Sequence, residues 1–391
     1  MVTDTIIKKG LPDETSVKVG YKQTELGVLP EDWAVKELGE LLGYKQPTNY
    51  LVKSSEYSNN HDIPVLTAGK TFILGYTAEE TGIFTELPTI IFDDFTTANK
   101  YVDFPFKAKS SAMKMLRPKN EIVSLKFIFE KMQLIDFKPG EHKRHWISEY
   151  QNLSIAIPKP EEQSAIATVL SDTDALIERL EKLIAKKKAI KQGAMQQLLT
   201  GKKRLPGFSG EWETKLFGSS IEVNKGQQLN KSELTATGEY PDWNGGIEPS
   251  GYTTKWNMVE NTITISEGGN SCGFVNYCKQ KFWCGGHCYA LKITSANLDK
   301  FFLYQLLKFK EKSIMSLRIG SGLPNIQKKN LKEFELFIPK ESKEQTTIAT
   351  ILSDMDAEIE SLEQKRDKYI ILKQGMMQQL LTGRIRIYAN N

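Results

Sequence analysis

The chain has 391 residues, 40% of them hydrophobic and 26% charged, and its formal net charge at pH 7 is +4. This composition is typical of a folded protein with more than one core and excludes a disordered chain. The charge surplus is too small to indicate nucleic-acid binding by itself. No stretch approaches the about 18 apolar residues of a membrane span, and the N-terminus lacks a signal-peptide layout. We therefore expect a cytoplasmic protein with no membrane partner.

The first half of the chain predicts a mixed α and β unit. It opens with a Leu-Pro and Trp motif, Leu29-Pro30-Glu31-Asp32-Trp33, and closes with Ile157-Pro158-Lys159. Short apolar runs such as Thr89–Phe92 and Met113–Leu116 between these motifs are typical of strands.

A long helix is predicted after this unit, because residues 162–201 contain no proline and carry apolar residues at heptad-like spacing. More than half of its positions recur identically in residues 344–383, so the chain contains an internal repeat. An apolar stripe at this spacing is usually a packing seam, and we expect the two helices to pack on each other. The expected packing residues are Ile166, Leu170, Ile177, Leu180, Ile184, Leu198, Ile348, Leu352, Met355, Ile359, Leu362, Tyr369, Met376 and Leu380.

The second half repeats the order of the first in weaker form. Leu205–Trp212 opens it, Thr262–Ile265 aligns with Thr89–Phe92, and Ile338-Pro339-Lys340 closes it.

Each half is expected to contain one shorter helix, near Ile122–Phe137 and near Leu298–Ser316. We align the two by matching Lys126-Phe127 with Lys300-Phe301.

The linker between the first long helix and the second half is short, residues 201–210. A helix of about 40 residues spans ~60 Å, so the second domain should begin at its far end and its own helix should run back. We therefore expect an α+β protein in which two mixed α/β domains are separated by an antiparallel two-helix coiled-coil spacer, with an internal pseudo-twofold repeat.

The four cysteines, Cys272, Cys278, Cys284 and Cys288, fall in one short window with His287 beside the last. Their spacing lacks the close pairs that are usual in zinc sites. The sequence favours small apolar residues on neighbouring strands, since free cysteine behaves as a buried hydrophobe.

Catalytic motifs are absent from the sequence: there is no phosphate-binding loop, no H-E-x-x-H and no G-x-S-x-G. Two basic loops stand at matched positions before the last strand of each half, at 140–146 and 318–329. Both contain Arg and Lys for phosphates or guanine and Gly for close backbone approach, and the second also contains Asn and Gln for adenine. Their repetition at matched places favours DNA binding.

The chain resembles the specificity subunit of type I restriction–modification systems over about residues 21–383. The resemblance is carried by the duplicated block ending Lys-Gln-Gly-x-Met-Gln-Gln-Leu-Leu-Thr-Gly, the Leu-Pro and Trp motif, and the Ile-Pro-Lys…Glu-Gln boundary before each long helix.

This resemblance implies a noncatalytic subunit with two target recognition domains, each reading half of a bipartite, asymmetric site on double-stranded DNA. It implies two methyltransferase (modification) subunits and restriction/translocase subunits as partners. S-adenosylmethionine and ATP then belong to those partners, and this chain carries no cofactor and no metal.

The domain order expected from the repeat is an N-terminal tail (1–20), target recognition domain 1 (21–158), spacer helix 1 (159–200), target recognition domain 2 (201–340), spacer helix 2 (341–383) and a C-terminal tail (384–391). The DNA-binding candidates, chosen by chemistry, are Lys70, Lys100, Lys107, Lys109, Lys143, Arg144, Lys225, Asn244, Lys255, Asn270, Arg318, Ser321, Asn325 and Lys328.

Two alternatives remain open. One is the specificity subunit of a methylation-only system without a nuclease, and the other is a coiled-coil adaptor that binds only proteins. The basic residues at 186–188, 191 and 202–204 are interpreted as a solvated helix face, although contact with spacer phosphates or a partner would also explain them.

Overall fold

The computed structural model describes residues 18–69, 71–140, 144–320 and 322–387. These residues form two compact units. Unit 1 comprises the chain up to Arg179 together with the chain from Arg366 onward, and unit 2 comprises Leu180–Lys365. Both long helices cross this division, so each unit contains a segment of each helix.

Unit 1 is a mixed α and β fold. Its strands are β1 (Tyr21–Thr24), β2 (Gly27–Pro30), β3 (Ala34–Glu37), β4 (Leu42–Lys45), β5 (Ile63–Leu66), β6 (Ile73–Thr77), β7 (Thr89–Asp93), β8 (Asn99–Val102), β9 (Lys107–Ala108), β10 (Met113–Pro118) and β11 (Ser154–Ile157). Its helices are α1 (Leu38–Leu41), α2 (Leu125–Met132), α3 (His145–Ser148) and the start of α4 (Pro160–Leu198). The central sheet has the antiparallel order β4-β10-β7-β8.

Strand β7 explains how this sheet is buried on both faces. Its residues Ile90 and Phe92 pack in a core with α2 and the long helices, whereas Ile91 between them packs on the other side with Leu66 and Phe106. Successive side chains of a strand point to opposite faces, so a continuous apolar run is what a sheet covered on both faces requires.

Unit 2 follows the same plan. Its strands are β12 (Trp212–Leu216), β13 (Ile221–Lys225), β14 (Tyr240–Trp243), β15 (Gly251–Thr253), β16 (Thr262–Ser266), β17 (Val275–Cys278), β18 (Trp283–Cys284), β19 (Cys288–Ile293) and β20 (Glu335–Pro339). Its helices are α5 (Phe217–Ser220), α6 (Lys300–Phe309), α7 (Glu311–Met315), α8 (Lys328–Lys332) and the start of α9 (Ser342–Leu380). The central sheet has the order β13-β19-β16-β17, which repeats the order of unit 1 element for element. The repeat of a mixed α/β domain, expected from the sequence, is confirmed.

The shorter helices differ from their expected bounds and alignment. Helix α2 ends at Met132, and the second predicted helix is two helices, α6 and α7. Ser124 and Asp299 are the equivalent N-caps, because each accepts a hydrogen bond from the backbone three residues later. Phe127 therefore corresponds to Phe302, and the alignment of Lys126-Phe127 with Lys300-Phe301 was wrong by one residue.

The Glu-Gln pair at the start of each long helix fastens that helix to its unit. In unit 1, Gln163 donates to the carbonyl of Pro158 at 2.9 Å and accepts from the backbone N–H of Ser124 at 2.9 Å. In unit 2, Gln345 makes the corresponding bonds to Pro339 and Asp299 at 2.8 and 2.9 Å. Each buried amide thus satisfies the backbone carbonyl at the end of a strand and the backbone N–H of a helix N-cap residue. This double role explains why the dipeptide recurs.

Segments of α4 and α9 run antiparallel within each unit. In unit 2, Lys187 pairs with Glu358 at 2.6 Å and Lys191, further along α4, pairs with Asp356 at 2.5 Å. In unit 1, Asp174 pairs with Lys373 at 2.7 Å, and Leu170 shares one core with residues near the end of α9. The antiparallel direction expected from the short linker is confirmed within each unit.

The packing residues named from the heptad pattern are all described by the structure. Nine are buried, namely Ile166, Leu170, Leu180, Ile184, Leu198, Ile348, Leu352, Ile359 and Leu380. The others, Ile177, Met355, Leu362, Tyr369 and Met376, are half-buried.

The lysine cluster of α4 is not simply a solvated face. Lys187, Lys188 and Lys191 pair with carboxylates of α9, Lys188 with Glu363 at 2.6 Å. Their positive charges are therefore partly neutralised by carboxylates within unit 2.

Candidate nucleic-acid interface

The end of the central sheet is built in the same way in the two units. In unit 1 the loop before α3 reaches this end, where the backbone N–H of His145 donates to the carbonyl of Asp94 at 2.9 Å. In unit 2 the loop before α8 does the same, with Ile326 donating to Glu267 at 2.8 Å. The described ends of the two basic loops, at His145 and at Ile326, therefore occupy corresponding places beside the turns after β7 and β16.

In unit 1 the acidic residue at this end of the sheet, Asp94, is buried. Asp94 is 1% exposed and pairs with the ammonium of Lys114, also 1% exposed, at 2.9 Å. Its other oxygen accepts the backbone N–H of Trp146 at 3.0 Å. A buried ion pair is retained only when further hydrogen bonds satisfy its partners, so this pair fixes the edge and presents no free charge.

In unit 2 the corresponding acidic residue is less completely buried, with 14% of its side chain exposed. Glu267 accepts a hydrogen bond from the Tyr289 hydroxyl at 2.9 Å and pairs with the half-exposed ammonium of Lys225 at 2.8 Å. Burial and the neighbouring carboxylate raise the pKa of Tyr289, which therefore stays a neutral donor. The second oxygen of Glu267 is buried and has no hydrogen-bond partner among the described residues, so the charge exposed at this end of unit 2 is the ammonium of Lys225.

Amide side chains and glycines surround this edge in unit 2. Asn244 accepts the backbone N–H of His287 at 3.0 Å and donates to Gln228 at 3.3 Å. A β carbon on Gly226 would lie 2.2 Å from the carbonyl oxygen of Gly285, so only glycine permits this close approach of two loops. Gly269 donates to the carbonyl of Pro324 at 3.0 Å and thereby joins the turn after β16 to the basic loop.

The structure brings most of the second-half candidates to this surface. Lys225, Asn270, Arg318, Asn325 and Lys328 are exposed on β13, on the loops described above or at the start of α8. Asn244 is half-buried, and both ends of its amide are used within the protein. Lys255 is exposed after β15 and pairs with Glu233 at 2.6 Å. Ser321 lies outside the described residues.

The first-half candidates are placed less uniformly. Lys100, Lys109 and Arg144 are exposed, on β8, after β9 and immediately before α3. Lys70 and Lys143 lie outside the described residues.

Lys107 is a correction to the sequence-based selection. Its side chain is 2% exposed, and its ammonium pairs with Glu79 at 2.9 Å and donates to the carbonyl of Thr81 at 2.6 Å. Backbone N–H groups of Ser54 and Lys53 and the ammonium of Lys107 hold the pKa of Glu79 at about 2. Because its charge serves this internal pair, Lys107 is removed from the DNA-binding candidates.

Two residues at these edges were missed because the selection followed positive charge and amides. One is Glu267, and the other is Phe95, which follows Asp94 in unit 1 and is 51% exposed. The alignment of Thr89–Phe92 with Thr262–Ile265 contained the signal, since extending it by three residues places Phe95 opposite Gly268. The strand registers agree with this alignment.

The four cysteines are free and buried. Cys278, Cys284 and Cys288 pack with Phe282 and Ala290 in one apolar cluster, as expected for small apolar residues on neighbouring strands. Among the residues that the structure describes, no group of three or more His, Cys, Asp or Glu side chains could hold a metal ion. No helix in the described ranges is long and apolar enough to span a bilayer.

The family follows from comparison with known proteins. A family model described as the type I restriction modification DNA specificity domain matches residues 30–192 and 209–369, and the chain therefore belongs to this family. The two matches fall one on each half of the internal repeat.

Individual relatives agree with this family. The chain is 39% identical over 232 residues to the type I restriction enzyme EcoR124I/EcoR124II specificity subunit of Escherichia coli, an alignment covering 57% of each chain. A putative type I restriction enzyme MjaX specificity subunit of Methanocaldococcus jannaschii is 25% identical, with 94% of this chain and 97% of that protein covered. The chain thus spans a little over half the length of the E. coli relative that it matches.

A solved structure supports the fold. The S subunit of a type I restriction-modification system from M. genitalium matches with a TM-score of 0.72 at 19% identity, over 89% of this chain and 96% of that chain. At this identity the likeness establishes the fold alone.

Proposed function

We propose that this chain is the DNA specificity subunit of a type I restriction–modification complex. Each target recognition domain reads one half of a bipartite, asymmetric site on double-stranded DNA. The chain itself is noncatalytic, and it positions two methyltransferase subunits and the restriction/translocase subunits, which bind S-adenosylmethionine and ATP.

The observation that supports this proposal is that the two units share the same architecture at the end of the central sheet, beside the turns after β7 and β16, but carry different side chains there. In unit 1 the edge holds a sealed Asp94–Lys114 pair, and in unit 2 it holds the partly exposed Glu267 and Lys225. Base edges in the major groove are read by side-chain donors and acceptors, so the two edges would read different sequences. A site with two unlike halves follows.

The domain order proposed for this function keeps the expected boundaries. They are target recognition domain 1 at 21–158, spacer helix 1 at 159–200, target recognition domain 2 at 201–340 and spacer helix 2 at 341–383, with tails at 1–20 and 384–391. The change from strand to long helix between Ile157 and Pro160, and again between Pro339 and Ser342, supports these limits.

The experiment that tests the proposal is an exchange of residues 211–338 for the matching segment of a relative. The chain would be expressed with the methyltransferase subunit encoded beside its gene, and the methylated sites would be mapped by genome sequencing. We expect the wild-type complex to methylate one bipartite motif and the exchange to alter one half of it. An altered motif in both halves would contradict independent reading by the two domains.

The two alternatives make different predictions. A methylation-only system gives the same motif but lacks a nuclease gene beside the methyltransferase gene. A protein-binding adaptor would leave methylation unchanged when it is deleted. For the specificity subunit we expect weak DNA binding by the chain alone, since its net charge is small, and tighter binding with a steeper salt dependence when the methyltransferase is added.

A further inference from the structure

The turn between β7 and β8 exposes the side chain of Phe95 to solvent, and hydrogen bonds fix the backbone of this turn. The carboxylate of Asp93 accepts the backbone N–H groups of Phe95 and Thr96 at 3.0 and 2.8 Å and the Thr96 hydroxyl at 3.0 Å. The backbone N–H of Thr97, a residue with φ of 59°, donates to the carbonyl of Asp93 at 2.9 Å and closes the turn. Phe95 is therefore presented by a rigid element, and its ordering on binding would cost little conformational entropy.

The surroundings of Phe95 are those of a DNA-contacting surface. The carboxylate of its neighbour Asp94 pairs with the buried ammonium of Lys114 and accepts the backbone N–H of Trp146. The backbone carbonyl of Asp94 accepts the N–H of His145. The exposed Arg144 directly precedes His145 and thus stands beside the turn. An exposed aromatic ring, a hydroxyl and a guanidinium are together at the edge where unit 2 places its exposed amides and lysines.

We propose that Phe95 reads a thymine in the half-site of unit 1 by contact with the C5-methyl group in the major groove. This inference rests on the proposed function and names a specificity-determining residue for it. Apolar side chains distinguish thymine from other bases through this methyl group. The corresponding positions in unit 2, Gly268 and Gly269, have no side chain for such a contact, so this turn reads a thymine in the half-site of unit 1 only.

Replacing thymine by uracil tests the contact, because uracil pairs identically and lacks only the methyl group. The complex of the full chain with its methyltransferase would be titrated at fixed salt with duplexes that carry its own motif and a single uracil at each thymine in turn. We expect one position in the half-site of unit 1 to weaken binding roughly 4-fold, the factor that one buried methyl group contributes. Phe95→Ala should bind the unmodified duplex about as weakly and lose all response to uracil at that position, whereas Phe95→Leu should keep part of the response.

The control is Ile122→Ala. Ile122 is 64% exposed. It follows the C-terminal end of β10 at Pro118, whereas Asp93 pairs with Met113 at the N-terminal end of that strand, so Ile122 is far from the turn along β10. This variant removes a comparable exposed apolar side chain and should retain the full uracil response.

The outcomes separate the two proposals. A wild-type complex that does not prefer its motif over a scrambled duplex contradicts the proposed function. A wild-type complex that prefers its motif but shows no uracil-sensitive thymine, or the same sensitivity in Phe95→Ala, overturns the role of Phe95 alone. Weakened binding of Phe95→Ala without any uracil response would indicate a wedge between base pairs and would also overturn the thymine contact.

Discussion

The guanidinium of Arg386 donates two hydrogen bonds to the carboxylate of Glu162, at 2.6 and 2.7 Å. Glu162 also accepts the indole N–H of the fully buried Trp33 at 3.1 Å. In unit 2, Arg204 makes the same two-point contact with Glu344 at 2.7 and 2.8 Å. The indole hydrogen bond is not repeated, but each guanidinium lies beside the ring of the tryptophan motif, at 5.9 Å for Arg386 and Trp33 and 6.0 Å for Arg204 and Trp212. Bidentate arginine–carboxylate pairing of this kind is among the stronger side-chain contacts.

Arg386→Ala should destabilise unit 1 by about 3 kcal/mol, because it leaves the nearly buried carboxylate of Glu162 without its cation. Urea or thermal unfolding followed by tryptophan fluorescence would measure the loss. Arg384→Ala, which removes an exposed arginine two residues earlier, serves as the control and should change stability by less than about 0.5 kcal/mol. Equal losses in the two variants would contradict the role of the Arg386 contact.

A double-mutant cycle on Glu130 and Lys373 should show coupling within unit 1. Glu130 is fully buried and lies 3.2 Å from the ammonium of Lys126 and 3.4 Å from that of Lys373. Lys373→Met should cost about 1–3 kcal/mol because it removes one of the two cations that stabilise this buried charge. Glu130→Gln should recover most of that loss in the double variant.

The expected tolerance of Glu130→Gln comes from the other unit. The corresponding residue there is Gln305, which donates to Asp356 at 2.8 Å while Lys191 pairs with the same carboxylate. Additive losses in the Glu130 and Lys373 variants, with no recovery in the double variant, would show that the two residues do not interact energetically.

Asp242→Asn should stabilise unit 2 at neutral pH. Asp242 is 1% exposed, and burial raises its pKa from 3.8 to about 6. The folded chain therefore keeps a proton that the unfolded chain has released, so stability falls as pH rises from about 4 to about 6 and stays lower above that range, by ~3 kcal/mol in all. Asparagine has no charge to bury, so the advantage of the variant should be absent at about pH 4, grow as the pH rises and level off above about pH 6.

Unfolding titrations at about pH 4 and pH 8 would measure this difference, with the exposed Asp354→Asn as the control. A stability advantage of Asp242→Asn that is the same at both pH values would rule out titration of Asp242 as its cause.

Arg318→Ala should alter one base position in the half-site read by unit 2. Arg318 is exposed at the start of the loop that precedes α8. If it holds a guanine by two hydrogen bonds, its loss should cost roughly 1–3 kcal/mol of binding and relax that position, and Arg318→Lys should not restore it. A uniform loss for all sequences that Arg318→Lys restores would instead indicate contact with a phosphate.

The architecture was predictable where the sequence repeats itself or keeps a regular period. The similar helix blocks predicted α4 and α9 to within three residues, and the apolar run Thr89–Phe92 predicted a strand. That this strand is covered on both faces is seen only in the fold. The recurring Glu-Gln pair indicated a boundary, but its hydrogen bonds to the preceding proline and to the next helix depend on tertiary contacts.

The candidate site was less predictable because positive charge alone does not reveal its partner. Lys107 and Lys109 are two residues apart in sequence, yet one is sealed against Glu79 and the other is exposed. Successive residues of a strand alternate between faces, but which carboxylate meets a buried lysine is decided by chain segments distant in sequence. Phe95 was missed because the selection followed positive charge and amides, and the fold adds that this phenylalanine faces water whereas Phe92 does not.

The burial of the four cysteines has a practical consequence for optical work on this chain. Burial raises the pKa of Cys278 to about 12, and a hydrogen bond with Cys288 together with burial raises the pKa of Cys284. Maleimide dyes react with the thiolate, so the wild-type chain should remain almost unlabelled at neutral pH. A cysteine introduced at the exposed Ile122 would then carry nearly all of the fluorophore, and single molecules could be followed on DNA with every natural thiol left in place.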